Sequence, residues 1–209
     1  MKALSTLFRR TRSFSAPDRT VYAVGDIHGR LDLLKELVAR IRDHAGNSDH
    51  EIIFLGDYID RGPESAGVVE YLLHADALDG VDCTFLKGNH EATLLDFLDS
   101  PEVGPSWSTY GGLETLLSYG VKVSGLSRDE TAWAETAARF REQLPDSHLD
   151  FYRTLRSFVV RGEYYFVHAG VNPEKPIEAQ TDADLLWIRD AFLGSHRQHD
   201  YMIVHGHTP

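Results

Sequence analysis

Apolar residues recur along this chain in two rhythms. Short apolar runs of strand length cover Thr20–Val24, Glu51–Leu55 and Val81–Leu86. The run Ile52-Ile53-Phe54-Leu55 has no polar break, as expected of a buried strand. Each strand leads into helical spacing. Leu31, Leu34, Val38 and Ile41 predict an amphipathic helix over 31–44, closed by Gly46-Asn47-Ser48. Pro63 suits a first helical turn, and Val68, Val69, Leu72 and Leu73 give the helix after it a buried face. A third helix over 92–98 turns Leu94, Leu95 and Leu98 inward. Strand–helix repeats of this length are βαβ units, each of about 30 residues or more.

The rhythm changes at Ser100, where Pro101, Gly104 and Pro105 interrupt it. A short helix is predicted near 113–118. Ser127-Arg128-Asp129-Glu130 has the form of a capping box, and Trp133, Ala137, Phe140 and Leu144 line one face of the helix it starts. Residues 100–156 therefore read as a mostly helical insertion over the strand-end loops, where substrate choice is expected to lie. Trp107, Tyr110 and Trp133 either line a substrate groove or, the preferred expectation, pack in the insertion's own small core. Phe158–Arg161 and Tyr164–Val167 form a predicted hairpin turning near Gly162, and Met202–Val204 a last short strand. The expected fold class is α/β: a central mixed sheet with helices on both faces, arranged as a sandwich of two sheets.

Composition narrows the partners. A length of 209 residues suits one domain, expected over 20–209 after a basic tail at 1–19 that carries Lys2, Arg9, Arg10, Arg12 and Arg19. The formal charge of −11 argues against non-specific nucleic-acid binding, which needs a basic surface. No apolar stretch is long enough for a signal peptide or a membrane span, so no stable membrane insertion is expected. The single cysteine, Cys83, sits in an apolar strand and fits a reducing cytoplasm. Oligomeric state leaves no mark in the sequence.

The chemistry gathers just after the strands. Gly25-Asp26-Ile27-His28-Gly29, Gly56-Asp57-Tyr58-Ile59-Asp60-Arg61-Gly62 and Gly88-Asn89-His90-Glu91 follow the first three, with Asp26, Asp57 and Asn89 spaced 31 and 32 positions apart. His168 and His207 follow two later strands. Open α/β sheets bind ligands at the carboxyl ends of strands. The convergence of Asp26, His28, Asp57, Asn89, His168 and His207 predicts a two-metal site. Mixed oxygen and nitrogen donors suit manganese, iron, zinc or magnesium. Asp57, on the central strand, can bridge two ions that share an activated water. His90 can then supply a proton to a leaving oxygen, with Asp60 holding its tautomer. The planar fork of Arg61 matches two phosphate oxygens. Taken singly, each residue would be an ordinary turn or core position; five such loops in one chain are not.

These three motifs resemble the signature of the phosphoprotein phosphatase family within the calcineurin-like metallophosphoesterases. His168-Ala169-Gly170 and Gly206-His207-Thr208-Pro209 most resemble its bacterial and phage lambda phosphatase-like branch. The resemblance spans residues 25–208. It implies a metallophosphoesterase β-sandwich flanked by helices, with Asp26, His28 and Asp57 on one metal and Asp57, Asn89, His168 and His207 on the other. It implies His90 with Asp60 as the acid pair, and Arg61 and Arg189 as phosphate ligands. Two divalent ions are implied, manganese first. The implied activity is phosphomonoester hydrolysis by a metal-bridging hydroxide, on phosphoserine, phosphothreonine or phosphotyrosine in proteins and on small phosphoesters. The alternatives are symmetrical hydrolysis of diadenosine tetraphosphate and a non-catalytic, metal-stabilised module that docks phosphorylated partners. Two departures stand out. Pro209 occupies the place where related phosphodiesterases carry a further histidine ligand. Family members also continue past Gly-His-Thr-Pro into more strands, so an open sheet edge is expected here.

Overall fold

In the computed structural model, which describes residues 13–123 and 130–208, every predicted strand and helix with a stated range is present. β1 (Thr20–Val24), β2 (His50–Phe54) and β3 (Asp82–Phe85) form an all-parallel sheet in that order. The connecting helices are α1 (Leu31–Ala45), α2 (Ser65–His74) and α3 (Asn89–Asp99). The helix α3 begins three residues earlier than its apolar spacing suggests, because its polar first turn belongs to the site rather than to the core. β4 (Phe158–Arg161) and β5 (Tyr164–Val167) pair antiparallel about Gly162, and β6 (Met202–Val204) runs parallel to β5.

The expected sandwich of two sheets is present, with helices covering the outer face of each sheet rather than both faces of a single central one. There are two three-stranded sheets among the described residues. Because side chains alternate along a strand, each sheet has two distinct neighbours. Val24, Ile52 and Phe54 face the helical layer. Ile53, Leu55 and Leu86 face Val159 and Phe166 of the second sheet. Tyr165 and Val167, on that sheet's far side, pack with Leu185 of α8 (Asp182–Trp187) and Phe192 of α9 (Asp190–Leu193). The layers therefore run helices, sheet, sheet, helices. The unbroken apolar run of β2 follows from burial on both faces. At the opposite end of the strands from the loops, buried Glu51 accepts both arms of Arg161 at 2.7 and 2.6 Å and the hydroxyl of Thr84 at 2.8 Å, joining the two sheets. A groove of about 670 Å³ lies where Val21 and Ala23 of β1 approach Phe166 and Val204, at the outer strands of the two sheets.

The insertion holds α4 (Gly104–Trp107), a π-helical turn (Ser108–Gly112), α5 (Leu113–Ser118), α6 (Glu130–Gln143) and α7 (Asp146–Thr154). It has no separate core: Trp107, Leu116, Trp133, Phe140 and Tyr152 share one cluster with Val24, Ile52 and Phe54. Most of the basic tail (residues 1–12), the capping box at Ser127–Asp129 and Pro209 lie outside the described residues.

Candidate metal centre

The strand-end loops are strained. Non-glycine residues with positive φ among the described residues are His28 (46°), Asp57 (55°), Asp60 (71°), Arg61 (67°) and His207 (63°). Each such residue costs about 1–3 kcal/mol and persists only where its surroundings over-determine it. Glu91 does much of that work. Fully buried, it accepts backbone N–H bonds from Asp57 at 2.9 Å, Tyr58 at 2.8 Å and Gly88 at 2.9 Å, pinning the loops after β2 and β3 together. Burial raises its carboxyl to about 7, with the Asp57 charge adding to the effect. The loops touch so closely that a Cβ on Gly88 would lie 2.1 Å from Asp57 Oδ1.

The hydrogen bonds fix the imidazoles. His168 Nδ1 donates to the Leu55 carbonyl at 2.9 Å, so its Nε2 carries the lone pair. That lone pair faces Asn89 Oδ1 at 3.0 Å, His207 Nδ1 at 3.0 Å and Asp57 Oδ2 at 3.3 Å. One added proton could satisfy one of these acceptors; a divalent cation could be bound by all four. Likewise His28 Nδ1 donates to the Ile59 carbonyl at 2.7 Å. Its Nε2 is buried without a hydrogen-bond partner, 3.7 Å from Asp57 Oδ2 and 3.9 Å from Asp26 Oδ2. Asp26 is held from behind, with Oδ1 accepting the His207 N–H at 2.9 Å. Two donor groups thus meet at Asp57, and the residues fit a cation pair better than they fit one another. Burial opposes charge on Asp57, yet the nearby His168 ring and, after it, the imidazoles of His90 and His28 hold its carboxyl below the usual range. Burial lowers His28, and lowers His207 to about 4 with His168 and Arg189 adding, which favours the neutral rings that ligate metals.

His90 lies close enough to count in the first donor group, its Nε2 3.9 Å from Asp57 Oδ2. Its Nδ1 is taken by Asp60 Oδ2 at 2.6 Å. Burial works against a charged His90, but the Asp60 hydrogen bond, with the Asp57 charge, outweighs it and raises its pKa. Arg61 Nη2 lies 3.4 Å from His90 Nε2, and Arg189 Nη1 donates to Thr208 Oγ1 at 3.1 Å. Both arginines line a cavity of about 210 Å³ with His90, Tyr110 and Trp187. All ten residues singled out in the sequence converge here. The rest of the site was missed: Glu91 as brace, Trp107 and Thr115 on Asp60, and Trp187 at the mouth. Glu91 carried a signal, a glutamate three residues after the residue that opens a helix. Trp107 carried none, since its partner lies 47 positions away. Of the three aromatics considered for a groove, Tyr110 is exposed at the mouth, Trp133 is core, and Trp107 is buried with its indole N–H on Asp60.

The chain is 27% identical to the asymmetrical bis(5'-nucleosyl)-tetraphosphatase of Halalkalibacterium halodurans, over 89% of this chain and 77% of that protein. It is 35% identical to serine/threonine-protein phosphatase 2 of Escherichia coli, over 45% of this chain and 39% of that protein. The crystal structure of a candidate diadenosine tetraphosphatase superposes with a TM-score of 0.54 at 22% identity, covering 83% of this chain and 61% of that one, and shows the same fold. The calcineurin-like phosphoesterase model matches residues 19–209. With serine/threonine phosphatases among its relatives, this chain belongs to the calcineurin-like phosphoesterase family.

Proposed function

We propose that this chain is a dinuclear-metal-dependent phosphomonoesterase, with phosphoserine and phosphothreonine in proteins as its substrates. The observation that carries the reading is the His168 Nε2 lone pair facing Asn89 Oδ1, His207 Nδ1 and Asp57 Oδ2 at 3.0–3.3 Å, with the unpartnered His28 nitrogen also beside Asp57. Asp26, His28 and Asp57 would hold one ion, and Asp57, Asn89, His168 and His207 the other. Two bound ions lower the pKa of a shared water and clamp phosphoryl oxygens. Manganese, iron, zinc and magnesium all suit such donors, and manganese is the first to try.

The protein's own part follows from the chemistry of the leaving group. Arg61 and Arg189 orient the phosphoryl group in the cavity. His90 donates the proton at Nε2 to the departing oxygen, while Asp60 keeps Nδ1 protonated. An alkoxide leaving from serine or threonine needs that proton; a nucleotide phosphate, already a good leaving group, gains far less from it. The built acid pair thus favours alkyl phosphates. Cys83, its thiol pushed up to about 11 by burial, is inert and fits a reducing cytoplasm. None of the described helices is long and apolar enough to cross a membrane.

A second reading, hydrolysis of dinucleoside tetraphosphates, is favoured by the wide match to the Halalkalibacterium halodurans protein and by exposed Tyr110 and Trp187, which offer surfaces for a base to stack on. The test is manganese-dependent phosphate release from a phosphoserine peptide, para-nitrophenyl phosphate and diadenosine tetraphosphate in parallel. The primary reading predicts the peptide as the best substrate. Faster turnover of the dinucleotide would install the second reading. Bound metal with no turnover of any of the three would leave a phospho-partner docking module.

A further inference from the structure

We propose that Trp107 and Thr115, both supplied by the insertion, are positioning residues for the His90–Asp60 pair. This rests on the reading of His90 as proton donor, and it gives the insertion a part in catalysis beyond shaping access. Asp60 is wholly buried, and three side chains converge on its carboxylate. Oδ2 accepts from His90 Nδ1 at 2.6 Å and from Trp107 Nε1 at 2.8 Å. Oδ1 accepts from Thr115 Oγ1 at 2.5 Å, and that same hydroxyl oxygen accepts the Asp60 N–H at 2.9 Å.

The indole cannot swing away. Trp107 is 1% exposed, tilted against Phe97 with ring centroids 5.0 Å apart, and a Cβ on Gly112 would lie 2.4 Å from it. The backbone joins in: the Arg61 N–H donates to the Gly111 carbonyl at 3.2 Å, and Asp60 and Arg61 are both left-handed. A carboxylate held at both oxygens has one orientation, and so does the imidazole it holds. Without the indole, Oδ2 would be free to rotate off the His90 axis. A misdirected Nε2 would leave the metal donors intact and fail only at the leaving oxygen.

The test uses the full chain. In the metal-free protein, proton NMR should show a downfield, slowly exchanging imidazole N–H of His90, absent in His90→Asn. Trp107→Phe and Thr115→Val should shift or broaden that signal, and Thr115→Ser should restore it. With manganese bound, each disruptive variant should lower kcat for an alkyl phosphate about 10-fold, as expected for loss of a hydrogen bond to a charged group. The loss on para-nitrophenyl phosphate should be several-fold smaller, and KM should stay unchanged. Because both residues act through His90, adding Trp107→Phe to His90→Asn should cost nothing more. An unmoved His90 signal in Trp107→Phe and Thr115→Val overturns the proposal, as do equal losses on the two substrates. If His90→Asn itself shows no preference for alkyl over aryl phosphates, the acid reading has failed and not the bracing of Asp60, which the NMR signal reports independently.

Discussion

Replacing Glu91 by glutamine tests how the strained loops are held. The change keeps the shape of the side chain and turns one acceptor oxygen into a donor. Oε2 serves the N–H groups of Asp57 and Gly88, both at 2.9 Å; Oε1 serves Tyr58 at 2.8 Å and, at 3.4 Å, Ile59. The cheaper orientation turns the new NH₂ toward Tyr58. It leaves that buried N–H unpaired and removes charge assistance from the other two bonds. A buried donor left unsatisfied costs about 1–3 kcal/mol, and charge-assisted bonds are about twice as strong as neutral ones, so a loss of about 3 kcal/mol is expected. For a chain of this size that lowers Tm by about 6–12 °C. Metal affinity should fall in parallel by about 10–100-fold, the usual effect of losing a group that orients ligands. A drop in Tm below about 2 °C, with unchanged manganese affinity, would refute the assignment of Glu91 as the brace.

Other outcomes follow from the same geometry. Gly206→Ala places a Cβ 2.6 Å from Asp26 Oδ1, so it should weaken one cation of the pair and leave the other, read as a fall from two bound ions to one by equilibrium dialysis. Gly88→Ala drives a Cβ into Asp57 itself and should abolish binding of both, with a loss of thermal stability. For Glu51, burial opposes the charge but the ion pair with Arg161 prevails, so its folded pKa lies below the unfolded one. Its stabilisation is therefore present above the ordinary carboxylate range and is lost as pH falls through the folded value. Urea unfolding of Glu51→Gln should show a deficit at neutral pH that shrinks on acidification, and a deficit independent of pH would contradict it.

The local code was legible because its parts are local. Gly162 at a hairpin turn, Leu34 and Val38 at helical spacing, and the apolar run before Asp57 each declare themselves within a few residues. The six candidate donors were legible for the same reason, since each sits in a short loop near a glycine directly after a strand. What escaped depends on distant contacts. Nothing around Trp107 marks it as a partner of Asp60 rather than core, and it is both. The sandwich of two sheets was expected, but which face of β2 meets the second sheet was not legible, because a strand buried between a sheet and a helical layer has the same apolar run as one flanked by helices on both sides. The insertion's lack of a separate core escaped likewise, as Phe97 of α3 and Trp133 of α6 meet only in three dimensions.

The central claim is that Asp57 joins two cation sites. Manganese titration of the metal-free chain, followed by electron paramagnetic resonance, tests it without recourse to turnover. Two manganese ions per chain with a spin-coupled signal are predicted. Asp57→Asn, which tolerates the same left-handed backbone, should lose the coupling and at least one of the ions. A single uncoupled ion in the parent chain, or an unchanged coupled pair in the variant, would contradict the account.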